Sequence, residues 1–220
     1  VEYDVGSHVL PAARTTPESL ELQQMLAQMR DAGCSACVME VSSHALTQHR
    51  VGAVDFDIAA FTNLTQDHLD YHGDMDAYFA AKRLLFDGLK KGAAVVTNLD
   101  DPYGAQLAGE DASTFGHAED AVTCAGDFTL GAESTQLTVI TPVGPVPFIF
   151  PLIGRHNISN ALAAYSIASA MGINGGVIAK AFADMPPVPG RLEKIMMGQP
   201  FGVFVDYAHT DDALRQVLKT

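Results

Sequence analysis

The sequence predicts an α/β fold with a doubly wound, mostly parallel sheet flanked by helices, to which a small antiparallel β subsheet is added. Two short apolar runs, at residues 36–41 and 57–62, are typical of parallel strands buried on both faces. Amphipathic helix patterns alternate with such runs, and several short β-type runs follow at residues 112–151. Ligands of a doubly wound sheet bind beyond the carboxyl ends of its strands, so we expect the functional site there.

Length and charge narrow the class of protein. With 220 residues, of which 48% are hydrophobic, the chain can bury a substantial core and is not disordered. Its formal net charge of −13 disfavours non-specific attraction to nucleic acid or anionic lipid. No apolar run approaches the roughly 20 residues that span a bilayer, and the first residues lack a signal-peptide pattern. We therefore expect a cytoplasmic protein without a nucleic-acid or membrane partner, and separately we expect a monomer.

The cysteines allow two interpretations. Cys34 and Cys37 form a C-x-x-C motif, and Cys124 stands alone. The motif could be a redox pair or half of a zinc site, but no second pair follows it. We favour buried thiols in a reducing compartment, because Cys37 opens an apolar run.

The first predicted helix begins with a recognisable start signal. Thr16 is a typical N-cap residue, and Pro17 suits the first helical position, where its missing N–H costs nothing. Apolar residues then recur at helical spacing between residues 22 and 29, until Gly33. The pattern predicts an amphipathic helix packed on a sheet.

Later elements follow from the same signals. Asp74 is the predicted N-cap of a second long helix, and residues 93–97 predict the next strand. The β-type runs at residues 112–151 predict the antiparallel subsheet, with one solvated face. Residues 157–171 carry the strongest helix signal in the chain, and residues 176–183 predict a shorter helix.

A proline-rich stretch predicts a domain boundary. The run Pro186-Pro-Val-Pro-Gly190 cannot continue a helix. Beyond it, residues 201–205 predict a strand and residues 211–219 a helix, a unit for which the sequence shows no strand partner. We expect one domain over residues 1–190 and the start of another over residues 191–220. Since the first residues resemble a strand and turn entered in mid-fold, we also expect the chain to come from a longer protein.

Glu40 and His68 are candidate metal ligands. Glu40 closes one predicted strand and His68 lies in the loop after the next, so both should lie at the same sheet edge. Mg²⁺ takes few protein ligands, while an imidazole is tolerable and waters or substrate phosphates complete its shell. The alternative for Glu40 is a carboxylate that pairs with Arg50 or caps the turn, but an acid that closes an apolar run is costly without a partner.

The run D-H-L-D-Y-H, which ends at His72, permits a second interpretation. A metal-dependent hydrolase could place His68, Asp70 and His72 on one ion. Against this, the side chains of an extended run alternate between two faces, and the run lacks a second upstream histidine pair. We favour Asp70 and His72 as residues that support the ligands or cap a turn.

Polar side chains around these candidates suit an anionic substrate. Ser42, Gln48 and Arg50 offer hydroxyl, amide and guanidinium donors for phosphate or sugar recognition. The alternative for Arg50 is a solvated surface group. Lys82, judged by its helical pattern, is an ordinary helix lysine whose ammonium cannot bind a metal.

Several segments closely resemble the Mur ligases, specifically the MurE type, which adds the third amino acid to UDP-N-acetylmuramoyl-L-alanyl-D-glutamate. They span nearly the whole chain: ARTTP (13–17), MEVSSHALTQHRV (39–51), TNLTQDHLDYHGDMDAY (62–78), AAKRLLF (80–86), GRHNISNALAA (154–164), PGRLE (189–193) and VDYAHTDDAL (205–214). EVSSHAL followed by HRV is specific to this branch, whereas H-N-x-x-N and the D-H pair are shared more widely.

This resemblance implies ATP-dependent amide ligation in peptidoglycan synthesis. The substrate carboxylate would attack the γ-phosphate of ATP, and the incoming diaminopimelate or lysine would displace the phosphate from the resulting acyl phosphate. Positioning and cation stabilisation should dominate such a reaction. The implied catalytic residues are Glu40 and His68, as Mg²⁺ ligands, and Lys82. Addition of CO₂ would turn Lys82 into a carbamate that helps to hold a second Mg²⁺ and the γ-phosphate region.

The resemblance also implies substrate and nucleotide contacts. The residues that would hold the UDP-muramoyl dipeptide are Thr15, Thr16, Ser42, Gln48 and Arg50. On the ATP side, Asn157 and Asn160 match the adenine-side asparagines, Arg191 the phosphate-side arginine and Asp206 the ribose-side aspartate. The alternative for Asn157 is the cap of its helix.

One element of the family pattern does not occur in these 220 residues. The phosphate loop, of the G-T-x-G-K-[ST] kind, has no counterpart, and without its backbone N–H groups and lysine ATP loses its main cradle. The N-terminal uridine-binding domain and most of the C-terminal domain of the family are missing too. We therefore expect a central-domain fragment that is inactive by itself, from a parent that is an enzyme. The alternative is a non-catalytic UDP-muramoyl-binding module.

Overall fold

The structure is a computed structural model and describes residues 2–220. Its strands are β1 (Glu2–Asp4), β2 (Val9–Pro11), β3 (Ile58–Phe61), β4 (Ala94–Asn98), β5 (Ser113–Gly116), β6 (Thr123–Leu130), β7 (Thr135–Thr141), β8 (Gly144–Phe150), β9 (Glu193–Lys194) and β10 (Phe204–Val205). Its helices are α1 (Ser19–Asp31), α2 (Ser43–Thr47), α3 (Leu69–His72), α4 (Met75–Asp87), α5 (Pro102–Leu107), α6 (His156–Ala170), α7 (Gly175–Ala183) and α8 (Asp211–Leu218). Over the described residues, no helix combines the length and the apolar character needed to cross a membrane.

The chain divides into two compact units. The first unit comprises the residues up to Asp57 together with His68–Ala93, and the second comprises Ile58–Asp67 with Ala94–Thr220. Helices α1 to α4 belong to the first unit, and the main sheet belongs to the second. The predicted domain boundary after residue 190 falls inside the second unit and stays a prediction.

A six-stranded sheet in the order β3-β4-β5-β6-β7-β8 forms the framework of the second unit. Its first three pairings are parallel and its last two antiparallel, with Ala60 opposite Val96 in the parallel part and Leu137 opposite Phe148 in the antiparallel part. The predicted α/β fold with a mostly parallel, helix-flanked sheet is confirmed. The antiparallel strands β7 and β8 prolong the same sheet, because β6 pairs with strands on both sides.

The core of the second unit lies between this sheet and two helices. Helix α6 packs across the sheet and α7 packs on β8. Phe148 stacks on Phe182 of α7 with ring centres 4.6 Å apart. The side chains that share this core are nearly inaccessible to solvent and include Val96, Phe115, Phe150, Ile158 and Leu162. Large apolar groups on adjacent strands and on a long apolar helix therefore pack this helix firmly against the sheet.

The predicted strand at residues 36–41 does not form. No strand is assigned to this segment in the structure, and Val38 is 86% exposed. Met39 and Val41 pack against the core of the first unit, which includes Leu22 and Leu46. A strand requires a partner for its backbone groups as well as apolar side chains, so periodicity alone misassigned this run.

Three further predictions need correction. The first helix begins at Ser19 with Glu18 at the N-cap, so Thr16 does not cap it. Cys34 and Cys37 are exposed rather than buried, because they lie in the segment after α1 that forms no strand. Strand β10 has a partner after all, since it pairs with β9 in an antiparallel ladder.

The predicted cap Asp74 is confirmed, because its carboxylate accepts the N–H of Ala77 at 2.8 Å.

Candidate functional site

Glu40 stands in the extended segment that leads into α2. Its backbone oxygen accepts a hydrogen bond from the hydroxyl of Thr16 at 2.9 Å, and the same hydroxyl accepts the N–H of Ser42 at 3.0 Å. Thr16 is 1% exposed, so these bonds are shielded from water and hold the backbone on both sides of Glu40. The Glu40 side chain itself is exposed. A carboxylate on a fixed backbone at the surface is available to a ligand.

Arg50 joins the same cluster from the other side. Its Nη1 donates to the backbone oxygen of Thr16 at 3.2 Å, and its Nη2 contacts the Gln48 amide oxygen and lies 3.4 Å from the carboxylate of Glu18. The pairing of Arg50 with Glu40 that the sequence left open is therefore not the one observed. The side chain is only 12% exposed, so it is not a solvated surface group.

Four of the five predicted substrate residues thus form one cluster, which we call the Thr16 cluster: Thr16, Ser42, Gln48 and Arg50. Ser42 also caps α2, since its hydroxyl accepts the N–H of Ala45 at 3.2 Å. Thr15 precedes the cluster and is exposed. The Nε of Arg50 is buried and has no hydrogen-bond partner in residues 2–220, which is uncommon for a buried polar atom.

His68 and Lys82 share a neighbour, the ring of Tyr78. His68 takes a left-handed backbone conformation with φ of 53° at the start of α3. Its ring meets that of Tyr78 edge to face, with centres 6.0 Å apart, and Lys82 Nζ lies 4.9 Å from the centre of the same ring. A non-glycine residue rarely adopts this backbone conformation, which turns the chain sharply just before α3.

The donors offered here fit a hard divalent cation. They are one exposed carboxylate, on Glu40, and one exposed imidazole, on His68. Mg²⁺ is held by few protein groups and completes its shell with water and phosphate oxygens. Across the described residues, no three His, Cys, Asp or Glu side chains gather as metal ligands. The alternative site built from His68, Asp70 and His72 is therefore not formed.

His72 instead makes contacts within the first unit. Its Nε2 forms a hydrogen bond of 2.9 Å with the hydroxyl of Ser43, and its ring stacks on Tyr78 at 4.9 Å. Burial lowers the pKa of His72, the neighbouring His44, His68 and Lys82 add to this effect, and the carboxylate of Asp70 opposes it. The imidazole is thereby favoured in its neutral form.

The two asparagines that the resemblance assigns to the nucleotide lie in the first turns of α6. Asn157 is buried, and its Nδ2 donates to the backbone oxygen of Ile153 at 2.8 Å. Its Oδ1 accepts a hydrogen bond of 3.0 Å from Nδ2 of Asn160. Because Arg155 occupies the N-cap position, the capping alternative for Asn157 is wrong. Asn157 fixes the amide of Asn160, which is the more exposed of the two.

Arg191 and Asp206 lie near the start of the same helix. The carboxylate of Asp206 accepts the N–H groups of Leu192 at 2.8 Å and Ala208 at 2.7 Å, and the guanidinium of Arg191 lies 6.0 Å from the ring centre of Tyr207. Burial lowers the pKa of His156, the carboxylate of Asp206 partly offsets this effect, and Arg191 adds to it. The charges of Asp206 and Arg191 therefore both influence the pKa of His156, the first residue of α6.

A cleft of about 270 Å³ lies at this place in the second unit. The ends of β4 and β5 contribute Asn98 and His117, and the start of α6 contributes Arg155, His156 and Asn160. The cleft lies beyond the carboxyl ends of parallel strands, where the fold class predicts a ligand. Sequence reasoning singled out Asn160 but missed His117, Arg155 and His156. Their position directly after a strand or at a helix start was the available signal.

Comparison with known proteins decides the family. Residues 2–168 match the family model of the Mur ligase middle domain. The chain belongs to the Mur ligase family. Two curated relatives are named UDP-N-acetylmuramoyl-L-alanyl-D-glutamate–2,6-diaminopimelate ligase. The one from Geobacter sulfurreducens is 45% identical over 229 residues, which cover 100% of this chain and 45% of the relative. The one from Geobacillus kaustophilus is 44% identical, covering 100% of this chain and 47% of the relative.

Solved Mur ligase structures agree with this assignment. A structure of a ligase with the same name aligns with a TM-score of 0.80 at 32% identity and covers 97% of this chain and 45% of that chain. MurF ligase from Thermotoga maritima in complex with ADP aligns with a TM-score of 0.71 at 17% identity, covering 93% of this chain and 49% of that chain, which supports the fold alone. The chain spans about half the length of the Mur ligases that it matches. The resemblance to the MurE type is confirmed.

Proposed function

We propose that this chain is the central domain of an ATP-dependent amide ligase that adds a third amino acid to UDP-N-acetylmuramoyl-L-alanyl-D-glutamate. The observation that carries the proposal is the Thr16 cluster, which joins the backbone of Glu40 to Ser42 and Arg50. One buried hydroxyl thereby links the proposed metal ligand to the proposed substrate contacts. The curated relatives are named as 2,6-diaminopimelate ligases, which favours diaminopimelate over lysine as the incoming amino acid.

The Thr16 cluster would hold the UDP-muramoyl dipeptide. Arg50 presents a guanidinium that is 12% exposed, and a guanidinium binds phosphate or carboxylate with directional hydrogen bonds. Thr15, Ser42 and Gln48 add hydroxyl and amide groups around it. The contacts that Arg50 already makes to protein oxygens fix its orientation before the substrate arrives.

Glu40 and His68 would hold Mg²⁺, and Lys82 would carry the carbamate. When bound, Mg²⁺ supplies positive charge next to the phosphoryl oxygens of ATP. Lys82 Nζ lies 4.9 Å from the centre of the Tyr78 ring, so a carbamate formed there would lie next to this ring. The residues of the Thr16 cluster would orient the substrate carboxylate for attack on the γ-phosphate, and the amine would then displace the phosphate.

ATP would bind with its adenine at the start of α6. Asn160 lines the cleft there, and Asn157 fixes its amide. Arg191 would contact phosphate. Asp206 would accept a ribose hydroxyl, since each of its oxygens has a second lone pair beyond the backbone N–H that it accepts. In this proposal the parent works as a cytoplasmic monomer, and its three partners are the UDP-muramoyl dipeptide, ATP and an amino acid.

ADP release by the parent protein tests the proposal. The parent, with the sequence that flanks these residues, would be mixed with UDP-muramoyl dipeptide, ATP, Mg²⁺ and either diaminopimelate or lysine. We expect ADP release with one of the two amines. The 220-residue chain, which contains no phosphate loop, serves as the control and should release none. No release by the parent with either amine would refute the proposal, and calorimetric binding of the dipeptide without release would favour the binding module.

A further inference from the structure

His72 contacts each of the segments that carry the proposed metal ligands. Its Nε2 lies 2.9 Å from the hydroxyl of Ser43, which is 1% exposed and follows Glu40 on the same segment. Its ring stacks on Tyr78 with centres 4.9 Å apart and planes at 20°, and Tyr78 precedes Lys82 by one turn of α4. His72 itself closes α3, the helix that His68 opens.

A second histidine completes this set of contacts. The ring of His44 lies 5.5 Å from that of His72 and 5.0 Å from that of His68. His44 directly follows Ser43, the residue to which His72 is hydrogen-bonded. A shift of the His72 ring would therefore displace residues that neighbour Glu40, His68 and Lys82.

The hydrogen bond makes this more than apolar packing. Ser43 is the first residue of α2, and its hydroxyl is buried, so the direction of its hydrogen bond is fixed by the helix start. A hydrogen bond is directional and weakens steeply with misalignment, so it sets the plane of the imidazole ring as well as its distance. Tyr78, which is 6% exposed, then takes its orientation from the stacked imidazole.

We propose that Ser43 and His72 are positioning residues that set the relative placement of Glu40, His68 and Lys82. Their hydrogen bond locks α2 against α3, and the stacked Tyr78 locks α3 against α4. Metal affinity and carbamate formation at Lys82 then depend on the Ser43–His72 bond. This inference rests on the proposed function of the three ligands.

Four variants of the parent protein separate positioning from packing. His72→Phe keeps a ring that can stack on Tyr78 but removes the hydrogen bond. His72→Gln places an amide near the former Nε2 and can restore the bond. Ser43→Ala removes the bond from the other partner. Lys90→Gln breaks the exposed ion pair with Asp57 in the same unit and serves as the matched control.

Three readouts apply to each variant. They are Mn²⁺ affinity without turnover, from the electron paramagnetic resonance signal of the free ion, the ¹³C carbamate signal after equilibration with labelled bicarbonate, and thermal unfolding. Loss of a side chain that orients a metal ligand weakens metal binding by about 10- to 100-fold. We expect a loss on the order of tenfold, with a weaker carbamate signal, in His72→Phe and Ser43→Ala. His72→Gln should recover most of the affinity, and Lys90→Gln should match the wild type.

The controls distinguish the possible failures. Wild-type Mn²⁺ affinity and carbamate signal in both His72→Phe and Ser43→Ala would overturn the inference, whatever their unfolding temperatures. Loss of the folded state in both variants would also overturn it, because the contact would then serve folding alone. Absence of Mn²⁺ binding and ADP release in the wild-type parent would instead remove the proposed function, and this inference with it.

Discussion

The side-chain nitrogen of Lys82 lies 4.9 Å from the centre of the Tyr78 ring. The two residues are one turn apart on α4 and therefore face the same side of the helix. Tyr78 is buried, so its ring is a fixed surface against which the amine rests. A cation over such a ring gains about 0.5–1 kcal/mol, which favours this position of the side chain over others.

Replacement of this lysine should remove most of the activity of the parent. In Lys82→Ala we expect ADP release to fall by about 100-fold, the size of effect seen when a group that stabilises transition-state charge is deleted. Added acetate or formate should restore part of it, because a small carboxylate can occupy the place of the carbamate. Lys90→Ala, on the same unit, is the control for loss of a lysine. Unchanged ADP release in Lys82→Ala would contradict the assigned role.

Arg50→Lys tests the guanidinium of the Thr16 cluster. Lysine keeps the charge but cannot contact Thr16 and Gln48 with a planar fork. We expect the KM for the UDP-muramoyl dipeptide to rise about tenfold, because a tenfold change corresponds to about 1.4 kcal/mol, close to the free energy of one lost charge-assisted hydrogen bond. Arg83→Lys, which changes only an exposed pair with Asp87, should leave KM as it is. A KM that stays at the wild-type value in Arg50→Lys would place the substrate elsewhere.

The fold could be predicted where strands find their partners within the chain. Residues 57–62 predict a parallel strand and residues 93–97 a further strand, and β3 and β4 pair there in parallel. Residues 36–41 carry an equally apolar pattern, but no strand forms, because the pattern specifies side-chain burial and not the ladder that satisfies the backbone. The pairing of β10 with β9 was missed, since two-residue strands leave almost no periodic signal.

The candidate site could be predicted in its residues but not in its connections. Motif resemblance identified Thr16 and Glu40 separately, and only the fold shows the 2.9 Å bond that joins them across 24 positions of sequence. The N-cap interpretation of Thr16 was locally reasonable. It was wrong because a contact distant in sequence used the hydroxyl instead. His156 escaped notice because burial, which sets its chemistry, depends on tertiary packing.

The two asparagines of α6 should respond differently to removal. Asn160→Ala deletes a side chain that lines the cleft and its 3.0 Å hydrogen bond to Asn157, so we expect a higher KM for ATP and a loss of about 0.5–1 kcal/mol of unfolding free energy. Asn157→Ala also leaves the backbone oxygen of Ile153 without its 2.8 Å donor. That variant should lose about 1–3 kcal/mol of unfolding free energy in addition. Equal stability of the two variants in denaturant titrations would contradict this division of roles.

Core packing of the second unit should dominate its stability. Phe115 is 1% exposed and lies in the same cluster as Phe150 and Ile158. Phe115→Ala should reduce the unfolding free energy by about 3–5 kcal/mol through lost burial and the cavity left behind. Val143→Ala, at a residue that is 93% exposed, should change it by less than about 0.5 kcal/mol. Urea titration followed by circular dichroism measures both, and similar midpoints would refute the assignment of the core.

His156 should make stability fall below neutral pH. Burial lowers its pKa in the folded protein, and its Nδ1 is buried without a hydrogen-bond partner among residues 2–220. In the unfolded chain a histidine has a pKa of about 6.5. As pH falls through about 6.5 towards the lower folded pKa, the unfolded state binds a proton that the folded state does not.

The contribution of His156 to the unfolding free energy is thus fully present above its pKa in the unfolded chain. It is lost as the pH falls through its pKa in the folded protein. His156→Gln removes this loss, so its unfolding free energy should rise relative to wild type between about pH 7 and pH 5. His8→Gln, at an exposed histidine, is the control for the loss of a histidine outside the cleft. Parallel curves for wild type and His156→Gln would show that the imidazole is hydrated in the folded state, and the cleft would then be open to water at the start of α6.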